Sequence, residues 1–251
     1  MRIQRTCQVA NLKIAVLAVV LTVSMVPPCP AVAQTPVPLE LILAVDASGS
    51  VSDDEFDLQV KGLAAAFRDP DVISAIRDAG PGGIAVALMQ WSSPGHQVMA
   101  VNWQVVSDRA SAELLAQQII AVGRLILGET AIDRALRFAV AEISTNDYSG
   151  RRWVIDLSGD GATNWGGLPD EARDEAVAAG ITINALAIVN EQPDLDRYFQ
   201  DHVIGGIGAF VVTATDYEDF ARAIRFKLIE EIQGRPAAGL SPSLWPSPRM
   251  T

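Results

Sequence analysis

The chain is poor in cysteine, histidine and lysine, and these shortages limit the chemistry it can carry. Its two cysteines, Cys7 and Cys29, both lie within the first 33 residues, and the chain has two histidines. Beyond residue 33 the sequence can therefore form no disulfide and no soft-metal site. Basic residues are also few, 19 Lys+Arg against 30 Asp+Glu, and they form no cluster. A nucleic acid partner is excluded on this ground, because a phosphate backbone selects a basic surface.

Long hydrophobic runs are limited to the amino-terminal segment. Arg2, Arg5 and Lys13 precede an apolar run over 14–26, and Ala31-Val32-Ala33 follows. This order is typical of a cleaved secretory signal peptide, predicted here over residues 1–33. The run is too short to cross a hydrocarbon layer of about 30 Å with ease, so an uncleaved anchor is the weaker alternative. We expect a secreted or periplasmic protein without a stable membrane span after cleavage.

The rest of the chain alternates strand and helix patterns. With 49% hydrophobic residues it is too apolar for a disordered chain. Nearly continuous apolar runs of strand length, as in strands buried on both faces, predict strands at 39–45, 84–89, 153–157, 181–189 and 209–212. Residues 98–103 alternate more and follow a turn at 92–95, which predicts an antiparallel edge strand.

Helical periodicity falls between these strands. It predicts helices over 53–67, from Ser107, from about Ala131, from Pro169 to Gly180, and along a last stripe from Phe220 to Ile232. Strands interleaved with helices indicate a doubly wound α/β domain over 38–233, with a mostly parallel sheet and helices on both faces. Residues 234–251 are rich in proline and are predicted to be a disordered tail.

Three loops carry oxygen ligands to the carboxyl ends of the predicted strands. The first strand ends in Asp46, with Ser48 and Ser50 alternating behind it; Thr130 follows Gly128-Glu129, and Asp160 lies between two glycines after the strand at 153–157. Ligands of such folds bind at this edge of the sheet. Oxygen donors without His or Cys suit a hard cation, Mg²⁺, Mn²⁺ or Ca²⁺. Because only two of the five groups carry negative charge, a carboxylate from a partner could complete the site.

Each of these groups also has a simpler interpretation. Ser48, Ser50 and Ser52 are residue types that cap helices, and Thr130 precedes a predicted helix in the same way. Asp160 between glycines is common turn chemistry. The five groups in this order, each beside the appropriate strand or helix, favour a metal site over five separate coincidences.

These positions resemble the motifs of the von Willebrand factor type A domain with a metal-ion-dependent adhesion site (MIDAS). Asp46, Ser48 and Ser50 match the family's Asp-x-Ser-x-Ser, Thr130 matches its threonine, and Asp160 followed by Gly161 matches its later aspartate. The resemblance covers nearly all of the chain after the signal segment. It implies direct metal contacts from Ser48, Ser50 and Thr130, and contacts through water from Asp46 and Asp160. The single-domain, exported layout also resembles a group of bacterial proteins.

One departure from the family pattern is Gly159, which stands where a threonine usually precedes the aspartate. This substitution affects the expected geometry of that loop only.

Enzyme alternatives fit less well. A phosphatase of the haloacid dehalogenase type also places Asp after the first strand, but it needs a second Asp where this chain has Ser48. It also needs a lysine at the phosphoryl group, and beyond residue 33 the chain has only Lys61 and Lys227, both in predicted helices. A serine hydrolase fits less well still, because this chain has no G-x-S-x-G motif. The sequence thus predicts a non-enzymatic, exported module that uses a divalent cation to bind an acidic group of a protein partner; a structural envelope protein with a loop-stabilising metal is the other alternative.

Overall fold

The protein is described here from a computed structural model, which covers residues 34–234. The predicted signal peptide at 1–33 and nearly all of the predicted tail lie outside the described residues. Within that range, no helix is both long and apolar enough to cross a membrane.

A six-stranded sheet forms the centre of the domain. Its strand order is β4-β3-β2-β6-β7-β8. All neighbours are parallel except β3 and β4, so β4 is the antiparallel edge strand that the sequence predicts. The strands are β2 (Glu40–Asp46), β3 (Ile84–Trp91), β4 (Gln97–Val106), β6 (Trp153–Gly159), β7 (Ile181–Ile188) and β8 (Val211–Ala214). The predicted fold class, a doubly wound α/β or Rossmann-like sheet, is confirmed.

Helices cover both faces of this sheet. They are α1 (Asp53–Arg68), α2 (Pro70–Ala79), α3 (Arg109–Val122), α4 (Ile132–Thr145), α5 (Asp170–Ala178), the short α6 (Leu195–Tyr198) with a π-helical turn (Phe199–Val203), and α7 (Phe220–Gln233). Leu41 and Leu43 of β2 pack with α1, α3 and α7 on one face, whereas Ile42 and Ala44 pack with α4 and α5 on the other. Burial on both faces explains why the strands read as continuous apolar runs.

The structure adds elements that the sequence patterns did not predict. Strands β1 (Thr35–Val37) and β5 (Tyr148–Gly150) form a separate parallel pair, and three residues are too few to show periodicity. Helix α2 follows α1 almost without a break. Asp69 ends α1 and accepts a hydrogen bond from the Asp71 N–H at the start of α2, with Pro70 in the first turn.

The topology brings two of the predicted ligand loops together. Strands β2 and β6 are direct neighbours, with Val45 opposite Ser158, and they end at Asp46 and Gly159. The strand order reverses between them, since β2 continues to β3 on one side and β6 to β7 on the other. Crevices at such a reversal are where doubly wound folds bind their ligands.

Candidate metal centre

Asp46, the last residue of β2, is fully buried at this edge. Its Oδ1 accepts a hydrogen bond of 2.7 Å from the Ser48 N–H, and its backbone oxygen accepts one of 3.3 Å from Gln59 Nε2. Its other carboxylate oxygen, Oδ2, is also buried and has no hydrogen-bond partner among the described residues. A buried anionic oxygen without a donor is costly unless a cation offsets its charge.

Ser48, Ser50 and Asp160 form a continuous chain of hydrogen bonds. The Ser50 hydroxyl donates to Asp160 Oδ1 over 2.8 Å, and the hydroxyl oxygens of Ser48 and Ser50 are 3.1 Å apart. Because Ser50 has one hydroxyl proton and uses it in the hydrogen bond to Asp160, Ser48 is the donor in the serine pair. One of the two lone pairs of the Ser50 oxygen then accepts from Ser48, and the other remains available to another group.

Helix capping does not account for Ser48 or Ser50. The residue that caps α1 is Ser52, which accepts from the Glu55 N–H while the Glu55 side chain accepts from the Ser52 N–H. The simpler interpretation is therefore right for Ser52 alone among the three serines.

The loop that carries Thr130 is bound to both of the other loops. The Gly49 N–H donates to the Gly128 oxygen over 2.6 Å, and the Thr130 N–H donates to Asn164 Oδ1 over 2.8 Å. The backbone oxygen of Thr130 in turn accepts a hydrogen bond of 3.2 Å from the backbone N–H of Trp165. Thr130 is buried, and it does not cap α4, whose cap position is Ala131. The structure thus brings Asp46, Ser48, Ser50 and Asp160 into one hydrogen-bonded group and docks the Thr130 loop against it.

Arg124 holds the serine loop in place, a role that the sequence analysis missed. Its guanidinium donates to the Val51 oxygen over 2.5 Å and to Asp53 Oδ1 over 3.0 Å, and it lies 5.0 Å from the centre of the Phe56 ring. Arg124 precedes Thr130 by six residues and lacks any sequence motif, so only the folded chain reveals it.

Tyr217 is the second residue that the sequence analysis missed. Its hydroxyl donates to Asp160 Oδ2 over 3.0 Å, and its side chain is buried. Tyr217 lies between β8 and α7, 57 positions along the chain from Asp160. Only the folded sheet brings the two residues together.

Burial, and after it charge repulsion, raises the pKa of two groups of the centre, Asp46 and Tyr217. Burial, and next the repulsion from Asp160, raise the pKa of Asp46 to about 7, although hydrogen bonds from Ser48 and the charge of Arg124 act the other way. Burial and both carboxylates also raise the pKa of the Tyr217 hydroxyl, which therefore remains a proton donor. Two buried carboxylates that repel one another are an electrostatic setting that a nearby cation would stabilise.

The residues present fit a hard divalent cation. Asp46 Oδ2 lacks a donor, and a Cβ atom at Gly159 would lie 2.9 Å from it, so the glycine leaves room for this carboxylate. Among residues 34–234 no group of three or more His, Cys, Asp or Glu could hold a metal ion. The candidate centre has two carboxylates, and its other donors are hydroxyls, which suit Mg²⁺, Mn²⁺ or Ca²⁺ better than zinc.

The groups needed by the enzyme alternatives are engaged elsewhere. Lys227 on α7 is buried, 2.6 Å from Asp156 Oδ1 and 2.5 Å from Glu231 Oε1. Lys61 is exposed and pairs with Asp57 on α1.

Solved structures share this fold at low sequence identity. Proximal thread matrix protein 1 (PTMP1) from the mussel byssus gives a TM-score of 0.58 at 16% identity, covering 80% of this chain and 47% of that chain. The pilus adhesin SpaC from Lactobacillus rhamnosus GG gives 0.56 at 14%, covering 78% and 30%. A von Willebrand factor type A protein from Catenulispora acidiphila gives 0.54 at 16%, covering 80% and 43%. This chain therefore spans less than half of each of these proteins, and the likeness shows the fold alone.

A further structure of the mussel protein has a zinc-occupied MIDAS motif, and it matches this chain with a TM-score of 0.57 at 16% identity, covering 80% of this chain and 49% of that chain. No curated protein matches the chain in sequence.

A family model does match. The family described as protein of unknown function (DUF1194) aligns with residues 36–236, which is most of the chain. The chain therefore belongs to the DUF1194 family, and its domain has the fold of the von Willebrand factor type A domain.

Proposed function

We propose that this protein is an exported binding module that uses one divalent cation, Mg²⁺, Mn²⁺ or Ca²⁺, to capture an acidic group of a protein partner. The observation that carries the proposal is the hydrogen-bonded chain from Ser48 through Ser50 to Asp160, beside the unpartnered oxygen of Asp46. Thr130 joins this set through its docked loop. The proposed metal residues are Asp46, Ser48, Ser50, Thr130 and Asp160.

The residues divide the work by their chemistry. The bound cation supplies positive charge to a carboxylate from outside. The hydroxyls of Ser48, Ser50 and Thr130 offer neutral oxygen donors, and Asp160 accepts a hydrogen bond from the Ser50 hydroxyl, which orients the hydroxyl oxygen. Asp46 contributes charge while its Oδ1 fixes the turn at Ser48. Five protein groups, of which three are neutral hydroxyls, leave coordination positions of the cation open, and a carboxylate from a partner could take one of them.

Exposed apolar side chains lie on two of the loops of the proposed centre. Large hydrophobic side chains stay exposed on the loops that carry Thr130 and Asp160, and these are Leu125, Leu127, Trp165 and Leu168. Trp165 is 56% exposed, although its backbone N–H donates a hydrogen bond to the backbone oxygen of Thr130. Exposed tryptophan is common among the residues that dominate protein binding. We therefore expect the partner to present its acidic side chain among apolar neighbours.

Two proteins of similar fold support a protein partner. SpaC is a pilus adhesin, and a minor pilin, PilB from Streptococcus sanguinis, also matches, with a TM-score of 0.53 at 15% identity, covering 82% of this chain and 63% of that chain. The signal peptide proposed at 1–33 adds export to the same proposal.

The test is a capture experiment on envelope extract, with the immobilised protein in Mn²⁺ or in EDTA. We expect a protein that is retained in Mn²⁺, released by EDTA and absent with Asp46→Asn. Trp165→Ala should weaken its retention without changing metal binding. If metal stabilises the fold but no protein is retained in a metal-dependent way, the structural envelope role replaces this proposal.

A further inference from the structure

The proposed centre has a contact outside the five motif residues. Asp160 is buried, and both of its oxygens accept hydrogen bonds: Oδ1 from Ser50 at 2.8 Å and Oδ2 from Tyr217 at 3.0 Å. Tyr217 is the sole side chain from outside the motif residues that donates to Asp160 within the described part of the chain.

Hydrogen bonds and packing on both sides of Tyr217 define its position. The turn between β8 and α7 is closed by the Thr215 N–H donating to Asp219 Oδ2 at 3.2 Å and by the Asp219 N–H donating to Asp216 Oδ1 at 2.8 Å. Directly after this turn, Phe220 is buried against α1, where a Cβ atom on Gly62 would lie 2.7 Å from its ring. The turn and the packed helix together fix where the Tyr217 ring can lie.

The two hydrogen bonds on Asp160 act on the same carboxylate group from opposite oxygens. If Tyr217 no longer donated to Oδ2, the carboxylate would be free to turn and to exchange the oxygen that faces Ser50. The proton of Ser50 would then lose its fixed acceptor, and the lone pairs of Ser50 and Ser48 would lose their orientation.

We infer that Tyr217 is a positioning residue of the proposed metal centre, whose hydroxyl fixes Asp160 so that Oδ1 stays committed to the proton of Ser50. The inference rests on the proposed metal binding. It assigns to Tyr217 no direct contact with the cation. Partners of metal-binding groups that act in this indirect way commonly change metal affinity by roughly 10- to 100-fold when they are removed.

The variant Tyr217→Phe tests this by removing one hydroxyl from a buried ring. We expect the Kd for Mn²⁺, measured by calorimetry on the folded protein, to rise about 10-fold or more. Tyr148→Phe is the matched control and should leave the Kd unchanged, because Tyr148 lies in β5, whose Gly150 N–H donates to Glu40 at the amino end of β2, the end opposite to the proposed centre.

A double-mutant cycle separates positioning from general stability. In the Asp160→Asn background, Tyr217→Phe should cause little further change in Kd, because Asp160 is the group through which Tyr217 acts. Equal effects of Tyr217→Phe in both backgrounds would overturn the inference. So would a variant that melts earlier in EDTA but keeps the wild-type Kd, since this is the signature of a purely structural role.

A measurement without substitution covers the case in which Tyr217→Phe does not fold. The chain has three tyrosines, so protein labelled with 3-fluorotyrosine gives three ¹⁹F resonances. Mn²⁺ is paramagnetic, so Mg²⁺ or Ca²⁺ is the titrant here. The resonance of Tyr217 should shift on saturation while that of Tyr148 stays in place, and an unmoved Tyr217 resonance would contradict the inference.

The two failures are distinguishable in these experiments. If the wild-type protein binds no cation, both the proposed function and the positioning role of Tyr217 are wrong. A wild-type protein that binds Mn²⁺ with an affinity that Tyr217→Phe leaves unchanged removes the positioning role alone.

Discussion

At the scale of single residues, three serines at alternate positions have two different roles. Ser52 caps α1 by accepting a hydrogen bond from the Glu55 N–H. The Ser50 hydroxyl instead donates to Asp160, and the Ser48 hydroxyl donates to Ser50. The residue types and spacing are the same, and the difference comes from which loop lies opposite each hydroxyl.

This difference gives a paired prediction for Ser50→Ala and Ser52→Ala. We expect Ser50→Ala to weaken Mn²⁺ binding strongly in calorimetric titration, because it removes a ligand and the proton that Asp160 accepts. Ser52→Ala should leave the Kd unchanged and lower the free energy of unfolding by about 1 kcal/mol, as loss of a helix cap does. Equal Kd values for the two variants would contradict the roles assigned to them.

Gly159 provides a second prediction, since it departs from the family pattern of the von Willebrand factor type A domain. A Cβ atom there would lie 2.9 Å from Asp46 Oδ2, so Gly159→Ala must displace the carboxylate of Asp46. We expect a loss of about 1–3 kcal/mol in the free energy of unfolding and weaker Mn²⁺ binding.

Gly161→Ala is the matched control for Gly159→Ala, because no atom lies within 4 Å of a Cβ at that position. Urea unfolding and metal titration of both variants check the prediction. If the two substitutions behave alike, Asp46 does not depend on the space at Gly159.

At the scale of elements, α7 is joined to the sheet by a buried charge cluster. Lys227 contacts Asp156 of β6 and Glu231 of its own helix, and Asn184 of β7 donates to Glu231 Oε1 over 2.9 Å. Two carboxylates share one ammonium group here. Burial and repulsion from Asp156 raise the pKa of Glu231 to about 8, although Lys227 opposes the shift.

The sign of the resulting pH dependence follows from that direction. Because the folded pKa of Glu231 lies above its usual value near 4.5, the folded chain binds the extra proton. This contribution to stability is complete below about pH 4.5 and is lost as the pH rises to about 8, with a slope of up to about 1.4 kcal/mol per pH unit.

Glu231→Gln should remove this dependence, since the amide stays neutral at every pH. The difference in the free energy of unfolding between variant and wild type, from urea titrations at pH 5 to 8, should therefore shift in favour of the variant as the pH rises. Glu230→Gln, on the adjacent and less buried position, should show no such trend. A difference that stays constant across this range would mean that Glu231 is ionised in the fold.

The sequence predicted the strands of the main sheet better than the short elements outside it. Continuous apolar runs predicted five strands of the main sheet, because burial on both faces leaves a strong pattern, and alternation after a turn predicted the edge strand β4. Helical periodicity predicted α1, α3, α4, α5 and α7. The short pair β1 and β5 and the helix α2 left none, since three residues show no period and α2 continues from α1.

The same limit applies to the candidate centre. Asp46, Ser48 and Ser50 follow one strand and could be recognised from their spacing, and Asp160 from its place at the end of another. Arg124 and Tyr217 belong to the centre only through contacts between distant loops, and no local pattern distinguishes them.

At the scale of the whole molecule, the account predicts that a divalent cation stabilises the fold. A cation that binds only the folded chain raises its stability by an amount set by its concentration relative to Kd. We expect the melting temperature to rise on addition of Mg²⁺ or Mn²⁺ and to return to its starting value in excess EDTA. With Asp46→Asn the rise in melting temperature at the same metal concentration should be smaller, because the substitution removes one of the two negative charges of the centre and raises Kd.

The most direct measurement is a calorimetric titration of Mn²⁺ into the EDTA-treated, dialysed protein and into Asp46→Asn. The account predicts one saturable site per chain in the first titration and a severalfold or greater loss of affinity in the second, with both proteins folded by circular dichroism. No binding heat from the folded wild-type chain, or the same Kd for the two proteins, would contradict it.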